Sequence, residues 1–353
     1  MAEALGLVAP GRPLRQGLER ILLAHRGALL VIGDDAKVLS ICTGGFLIDA
    51  EFSPQRLTEL AKMDGAMILS ADAGRIARAN VHLMPNPGVA TTETGTRHRT
   101  AERVARSIDV PVVSVSAAMG VITVYRRDQR HVLQPAGRIH DQVSQALQTL
   151  QRFRQRFDAA VTGLSALEIE DTVTLREVAA VLQPSEIILR VARELEPTFI
   201  ELGDDGRLLR LQLAELVEGV EPVRRLVVRD YRRGDARFDG GDVDAKVFSA
   251  LAALSTEELR DGAKVGAALG LSKNESDLDS SLEPRGYRLL YRLPRFPDTL
   301  VDRIVEHFAG LQKIMRASVG DLEEVGGVGE ARARSVKEGL SRLAEASILD
   351  RYT

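Results

Sequence analysis

The stretch FSPQRLTELAKMDGAMIL, residues 52–69, joins a helical pattern to an apolar run through an Asp-Gly turn. Ser53 is a favourable N-cap and Pro54 suits the first helical position, so a helix is predicted to begin here. Apolar residues from Leu57 onwards share one face of this helix, and Gly65 is expected to stop it. The stretch thus contributes one helix to a pattern in which helices and apolar runs alternate.

Four runs rich in Val and Ile flank that helix along the chain and predict β-strands. They are GALLVIG (27–33), RIARANVHL (75–83), PVVSVS (111–116) and GVITVY (120–125). A second helix is predicted from about Thr100, because Ala101 and Val104 begin a run of apolar residues at helical spacing. We therefore predict an α/β N-terminal domain over residues 1–138, in which helices flank a mixed sheet.

The pattern becomes helical from residue 139. HDQVSQALQTLQRFRQRFDAAVTGL (140–164) repeats apolar residues every three or four positions, which predicts one long amphipathic helix. An all-α spine is predicted over residues 139–285. In the last part, residues 286–353, VGDLEEVGGVGEARARSVKEGL (319–340) places a glycine-rich turn between two helices and predicts a helix-hairpin-helix domain.

Composition limits the possible classes of function. The chain has 353 residues and a formal net charge of −3, so any binding to nucleic acid must be local. The single Cys42 excludes an intramolecular disulfide and a cysteine-based zinc site. No run reaches the roughly 18 apolar residues that a bilayer requires, and the N-terminus has no secretory pattern. We expect a soluble, cytoplasmic protein without a membrane partner.

TGTRHRTAER, residues 94–103, places three basic or potentially basic side chains before the second predicted helix. A helix N-terminus offers free N–H groups and a partial positive charge, which suit an anion with several oxygens. Gly95 permits close approach of the backbone, and Thr96 and Thr100 add hydroxyl donors. A phosphate chain fits best. From the spacing alone, a solvated basic loop in which Thr100 only caps the helix is an equally good interpretation.

Asp64 opens an Asp-Gly turn beside the small Ala66. Its carboxylate can ligate a divalent cation or accept a proton from a hydroxyl nucleophile, while Gly65 and Ala66 leave room for a flat base or a sugar. From the spacing alone, an ordinary turn after a helix is the favoured interpretation.

Together the two stretches closely resemble the DGA and RHR motifs of the diadenylate cyclases, and both motifs are unbroken. The resemblance runs end to end with those members of the family that carry a catalytic domain, a helical spine and a helix-hairpin-helix domain in that order. It implies that Asp64 is the residue most closely tied to catalysis, near the ribose 3'-hydroxyl and the metal. The loop at residues 84–93 is given no role.

The resemblance also assigns the ATP contacts. The counterparts of the DGA motif are Asp64, Gly65 and Ala66, and the stretch that grips the triphosphate is Thr96, Arg97, His98, Arg99 and Thr100. Leu83 falls where the family holds the adenine. The residues expected to carry catalysis are Asp64, Arg97, His98 and Arg99. His98 remains open as a metal ligand, a phosphate donor or a structural imidazole, with contact to phosphate or metal favoured.

Cyclic di-AMP contains two AMP units joined by two identical 3'-5' linkages, so each ATP must supply the 3'-hydroxyl that attacks the other. One chain carries one copy of each motif, and two chains are therefore expected to face each other about a twofold axis. The cofactor is expected to be Mg or Mn, which helps pyrophosphate to leave. The resemblance further implies an octamer built from four such dimers.

The glycine-rich turn near the C-terminus resembles hairpins that meet DNA phosphates with backbone N–H groups. Its glycines are Gly326, Gly327 and Gly329, and the candidate charge partners are Arg332, Arg334 and Lys337. Residues 286–353 hold 11 Lys plus Arg against 10 Asp plus Glu, a net charge of +1, so weak and salt-sensitive binding is expected. Several copies in one oligomer favour branched or junction DNA. A hairpin used only for packing or oligomerisation is the alternative.

The predicted function is a diadenylate cyclase that condenses two ATP into cyclic di-AMP and two pyrophosphate, and that is less active when DNA is bound. The effect of DNA is implied by the family alone. The alternative is a branched-DNA-binding scaffold that binds ATP without cyclising it, although a scaffold has no physical need for Asp64. A nucleotidyltransferase that uses another acceptor would need an acceptor site, and no motif for one is found.

Overall fold

The computed structural model describes residues 1–234, 242–271, 277–294 and 296–349. The chain divides into two compact units, which are Met1–Gln145 with Glu194–Gln212 and Ala146–Arg193 with Leu213–Thr353. The domain boundaries predicted at residues 138 and 285 remain predictions. In the described part of the chain, no helix combines the length and the apolar character needed to cross a bilayer.

The first unit is built on a mixed sheet, as predicted. Its strands are β1 (Ala28–Ile32), β2 (Cys42–Thr43), β3 (Phe46–Glu51), β4 (Ala66–Leu69), β5 (Arg75–Leu83), β6 (Val112–Ser116), β7 (Val121–Arg126) and β8 (Gln129–Leu133). Their order is β2–β5–β4–β1–β6–β7–β8, and β3 also pairs with β5. β1 and β4 are parallel, whereas the other pairs are antiparallel.

Helices cover both faces of this sheet. They are α1 (Ala2–Leu7), α2 (Pro13–Leu23), α3 (Ala36–Ser40), α4 (Pro54–Leu60) and α5 (Thr96–Ile108). Side chains alternate along β1, so that Leu30 belongs to the core with α1, α2 and α4, while Val31 belongs to the core with α3 and α5. This arrangement leaves the turn before β4 and the start of α5 at the surface.

The rest of the described chain is helical, as predicted. Its helices are α6 (Ala136–Glu170), α7 (Leu175–Leu202), α8 (Arg207–Val217), α9 (Val220–Tyr231), α10 (Asp242–Ala253), α11 (Gly262–Ala268), α12 (Tyr287–Leu290), α13 (Asp298–Phe308), α14 (Leu311–Arg316), α15 (Val319–Glu323) and α16 (Glu330–Leu349). α6 contains the predicted long helix. α12 to α16 share a core of their own, in which Ile304, Leu322 and Val336 are fully buried.

Two helix boundaries differ from the prediction. α4 ends at Leu60, well before Gly65, because the chain turns at Lys62–Gly65 after the last helical hydrogen bond. α5 begins one turn before Thr100, because the carbonyl of Gly95 accepts the Arg99 N–H at 2.8 Å. The basic side chains of the RHR motif therefore belong to the first turn of α5 and not to the preceding loop.

Four strands, β2, β3, β4 and β8, are absent from the sequence-based prediction, which treats β4 only as an apolar run. β4 is short and buried throughout, so its sequence shows no alternation. β2, β3 and β8 lie at the edges of the sheet, and most of their side chains are exposed or only partly buried. Such strands lack the regular alternation of buried and exposed residues that identifies a strand in a sequence.

Candidate active site

The site centres on the turn between α4 and β4. Asp64 lies in this turn, and 95% of its side chain is exposed. Arg97, in the first turn of α5, donates from Nη2 to Asp64 Oδ1 at 2.9 Å. An ion pair at the surface adds little to stability, so the Asp64 carboxylate remains available to a ligand. The fold thus brings the DGA and RHR motifs together.

The N-terminus of α5 is the second element of the site. Gly95 is its N-cap, and no side chain caps the helix there. The first N–H groups of a helix have no partner within the helix and carry its positive end, so they can receive an anion. Arg99 is exposed and makes no side-chain hydrogen bond or ion pair with any residue that the structure describes. Thr96 is also exposed, and Thr100 is partly buried.

His98 differs from its two arginine neighbours because it is only 6% exposed. Its Nδ1 lies 2.7 Å from the hydroxyl of Tyr125 on β7. That hydroxyl donates to Glu93 Oε1 at 2.9 Å, and Arg130 Nε lies 2.9 Å from the same Glu93 oxygen. Burial lowers the pKa of His98. Burial and the hydrogen bond to Glu93 raise the pKa of Tyr125. The imidazole is therefore neutral at pH 7, when the phenol keeps its proton.

The remaining residues of the DGA motif are packed into the sheet. A Cβ at Gly65 would lie 2.7 Å from the Cα of Asn80 on β5, so this position requires glycine for strand packing. Ala66 is buried between β1 and β5. Leu83 ends β5 opposite Cys42 and is partly buried. The ATP contacts assigned to these residues remain predictions.

The connecting loop at residues 84–93, for which the sequence indicates no role, is anchored to α5. The buried Glu102 accepts from the hydroxyl of Thr91 and, at 3.0 Å, from the N–H of Thr92. Burial raises the pKa of Glu102, but these hydrogen bonds and the nearby Arg106 lower it further, so the net pKa is below its usual value. The loop is therefore part of the frame that holds the start of α5.

Several residues of this frame are missed by sequence reasoning. They are Gly27, Glu93, Glu102, Tyr125 and Arg130. A Cβ at Gly27 would lie 2.7 Å from Arg97 Nη1, so a side chain there would displace the arginine. Among these five residues, only Tyr125 gives a local signal in the sequence. It places a hydroxyl in an apolar strand, and a buried tyrosine hydroxyl usually has a hydrogen-bond partner. The partners themselves cannot be read from the pattern.

The residues present fit a divalent metal that is carried by a nucleotide. Within the described ranges no group of three or more His, Cys, Asp or Glu side chains is arranged to hold a metal ion. The exposed carboxylate of Asp64 offers one or two oxygens. Mg²⁺ commonly takes one or two protein carboxylates and completes its shell with substrate phosphates and water.

The C-terminal hairpin between α15 and α16 exposes its three glycines. Gly327 has a φ of +92°, whereas a Cβ at Gly326 or Gly329 would meet open space. The predicted cationic partners are engaged within the chain. Arg332 donates to the Gly327 carbonyl at 2.8 Å and Lys337 to the Met315 carbonyl at 2.7 Å, and Arg334 pairs with Glu330. Their contacts to DNA remain predictions.

Comparisons with known proteins show which family this chain resembles. The nucleotide-binding model of the DisA bacterial checkpoint controller matches residues 15–130, and its linker-region model matches residues 133–278. The DNA integrity scanning protein DisA of Streptomyces coelicolor is 52% identical over 352 residues, which cover 100% of this chain and 94% of the relative. The DisA of Parafrankia sp. is 53% identical over 348 residues, which cover 99% and 96%.

A solved structure, that of DacA from Staphylococcus aureus, matches 34% of this chain and 83% of its own at 24% identity, with a TM-score of 0.28. This TM-score is too low to support a structural argument. The family models and the relatives define the class: the N-terminal domain is that of a diadenylate cyclase. The chain belongs to the DisA family.

Proposed function

We propose that this cyclase condenses two ATP into cyclic di-AMP and two pyrophosphate across a pair of facing chains. The observation that carries the proposal is the contact between Asp64 and Arg97. It places a carboxylate that can accept a proton beside the basic first turn of α5, where we propose that the triphosphate binds. The product is twofold symmetric and each chain has one such site. A dimer is therefore the minimum active species, and an octamer of four dimers is the expected assembly.

In each of the two reactions, the 3'-oxygen of one ATP forms a bond to the α-phosphorus of the other. The bond from that phosphorus to pyrophosphate breaks, and the hydroxyl proton leaves towards Asp64. Arg97, Arg99 and the free N–H groups of α5 stabilise the charge of the triphosphate and of the departing pyrophosphate. Catalysis is then mainly a matter of positioning and charge.

Nucleotidyltransferases of this family use a divalent metal, and we propose Mg or Mn. Asp64 would hold it together with the phosphates of ATP, and the ion would supply positive charge to the leaving pyrophosphate. Leu83 would contact the adenine, and Gly65 with Ala66 would lie beside the ribose. We place the reaction in the cytoplasm, where ATP is abundant and Cys42 stays reduced.

The test is incubation of the purified chain with ATP and Mg or Mn, with the products separated by chromatography. Cyclic di-AMP and pyrophosphate are expected in a ratio of one to two, and Asp64→Asn should form neither. If a folded, assembled wild-type chain binds ATP and returns it unchanged, the cyclase mechanism is wrong and a scaffold that only binds ATP replaces it.

We also propose that the hairpin between α15 and α16 binds branched DNA without sequence preference. The open space at Gly326 and Gly329 supports this, because the packing of the chain itself does not require glycine there. Close approach of a phosphate to the backbone does benefit from glycine. DNA binding is expected to lower the cyclase rate through the helical spine.

The DNA proposal is tested by titrating a four-way junction and a duplex of equal length at two salt concentrations, while cyclic di-AMP formation is followed. The junction should bind more tightly and should reduce the rate. A junction that binds tightly and leaves the rate unchanged contradicts the regulation, and the absence of binding contradicts the DNA-binding role itself.

A further inference from the structure

The buried contacts beneath α5 assign a role to residues outside the two motifs. His98, Tyr125, Glu93 and Arg130 form a continuous chain of polar contacts from the first turn of α5 to the hairpin between β7 and β8. Tyr125 is only 1% exposed. Buried polar groups of this kind hold a structure in one arrangement when all of them are satisfied. Within this series of contacts, His98 Nε2 is buried and has no partner among the described residues.

The direction of these hydrogen bonds follows from the proton count. A tyrosine hydroxyl has one proton, and that proton is directed to Glu93 Oε1 because a carboxylate oxygen can only accept. The hydroxyl oxygen must therefore accept at its other contact, so His98 Nδ1 carries a proton and donates it to Tyr125. In a neutral imidazole the second nitrogen then has a free lone pair. Nε2 of His98 is therefore an acceptor and cannot donate to a phosphate oxygen.

We propose that Tyr125 and Glu93 are positioning residues for the cyclase site: they hold His98 in its Nδ1-protonated form and thereby anchor the first turn of α5. The helix then presents Arg97 and Arg99 outwards while His98 points inwards. On this account His98 acts through its anchoring bond to Tyr125 and does not donate to the triphosphate. This inference rests on the proposed function for the identity of the ligand. The contacts among His98, Tyr125 and Glu93 lie within one chain and do not depend on that ligand.

The geometry explains why this anchor affects ATP binding. His98 and its two arginine neighbours occupy consecutive positions in one helical turn, so a shift of the buried ring moves both guanidiniums. A Cβ at Gly95 would lie 3.5 Å from His98 Cδ2, which places the ring directly beneath the N-cap of α5. Displacement of catalytic groups by about 1 Å can cost about a hundredfold in rate.

The test compares two amide replacements of the imidazole. In His98→Asn the side-chain amide nitrogen lies near the position of Nδ1, whereas in His98→Gln it lies near the position of Nε2. His98→Asn is expected to weaken ATP binding less than His98→Gln does, because only Asn keeps a donor for the Tyr125 hydroxyl. His98→Gln is expected to weaken ATP binding by about tenfold or more, because Tyr125 and Glu93 lose their partner. ATP affinity is measured by calorimetry, separately from cyclic di-AMP formation.

A second pair of variants isolates the hydroxyl of Tyr125. Tyr125→Phe removes it, and Thr123→Val removes another fully buried hydroxyl two positions away on β7, which has no partner in the described part of the chain. Tyr125→Phe should raise the KM for ATP by about tenfold. Thr123→Val should leave it unchanged. Thermal unfolding of both proteins separates this effect from a general loss of stability.

The opposite order of the two His98 variants, with Gln binding ATP better than Asn, would overturn the inference, because Nε2 would then be the working atom. If neither His98 variant folds, equal KM values for Tyr125→Phe and Thr123→Val overturn it as well. Failure of the proposed function looks different: wild-type protein would then bind ATP without forming cyclic di-AMP, while the order of affinities could still be read.

Discussion

The N-termini of α5 and α16 begin with similar backbone hydrogen bonds but differ in how many of their arginines are paired within the chain. At the start of α5, Gly95 accepts the Arg99 N–H, and at the start of α16, Gly329 accepts the N–H groups of Arg332 and Ala333. Each helix carries arginines in its first two turns. Around α5, a buried polar chain fixes the backbone and leaves the Arg99 side chain without a partner among the described residues.

At α16 both arginines are engaged within the chain, whereas at α5 Arg97 pairs with Asp64 and Arg99 does not pair with any described residue. Arg332 donates to the hairpin carbonyl of Gly327, and Arg334 pairs with Glu330 one turn earlier in the helix. A cation that must leave a protein partner before it meets a phosphate gains less from binding. The start of α5 is therefore better suited to hold a single multivalent anion tightly. The start of α16 is better suited to weak contacts that are summed over several copies.

The largest expected effect concerns Asp64. Asp64→Asn should lower cyclic di-AMP formation about 10³-fold, because the variant cannot accept the hydroxyl proton. ATP binding should change little, because the arginines and the N-terminus of α5 are intact. The measurement is a single-turnover assay alongside calorimetry. Glu59→Gln, which removes an exposed carboxylate on α4, is the matched control, and equal losses in both variants would remove Asp64 from the mechanism.

A smaller effect is expected for Arg99. Arg99→Ala should weaken ATP binding by about 10- to 100-fold, because it removes a charge-assisted contact to the triphosphate. The melting temperature should not change, since the side chain has no partner among the described residues. Arg12→Ala, an exposed arginine before α2, provides the control. Loss of stability without loss of affinity would show that Arg99 supports the fold and not the ligand.

The contribution of Glu102 to the free energy of unfolding is expected to depend on pH. Its pKa is lower in the folded chain than in the unfolded chain, because the hydrogen bonds from Thr91 and Thr92 outweigh burial. The stabilisation it provides is therefore present above its unfolded pKa and is lost as the pH falls through its folded pKa. Glu102→Gln should lower the free energy of unfolding by about 1–2 kcal/mol at pH 7. Denaturant titrations should show this difference shrinking towards acid pH, and a constant difference would contradict the assignment.

The smallest expected effect concerns DNA binding by the hairpin before α16. Glu330→Gln removes the partner of Arg334, so the hairpin should bind DNA slightly more tightly at low salt. The slope of log K against log salt should steepen by about 1, because one more cation is available to a phosphate. Glu338→Gln, on the same helix and further from the hairpin, is the charge-matched control. An equal response in both variants would reduce the effect to net charge.

Local chemistry could be predicted from the sequence, and pairing between distant residues could not. The Asp-Gly turn and the glycine hairpin depend on neighbouring residues, and the sequence places both of them. The start of α5 is placed one turn late, because Gly95 has no side chain to mark the cap and its carbonyl alone closes the first turn.

The anchor beneath α5 lies beyond such reasoning. Tyr125 and Glu93 are separated by 32 positions in the sequence, and the loop that carries Glu93 has no pattern that suggests a role. The structure instead places that loop against α5 through Glu102. His98 is buried with its ring against the sheet, and its contact with phosphate or metal remains a prediction. Only the folded sheet brings these groups together.

The proposed mechanism requires two facing chains to complete one active site. Mixtures of wild-type and Asp64→Asn chains, dissociated and reassembled at known ratios, test it directly. If each cyclic di-AMP needs two intact sites, its rate of formation should fall as the square of the wild-type fraction, and the linear intermediate should accumulate in mixed pairs. A rate that falls in direct proportion to the wild-type fraction would show that one chain is sufficient and would contradict the mechanism of facing chains.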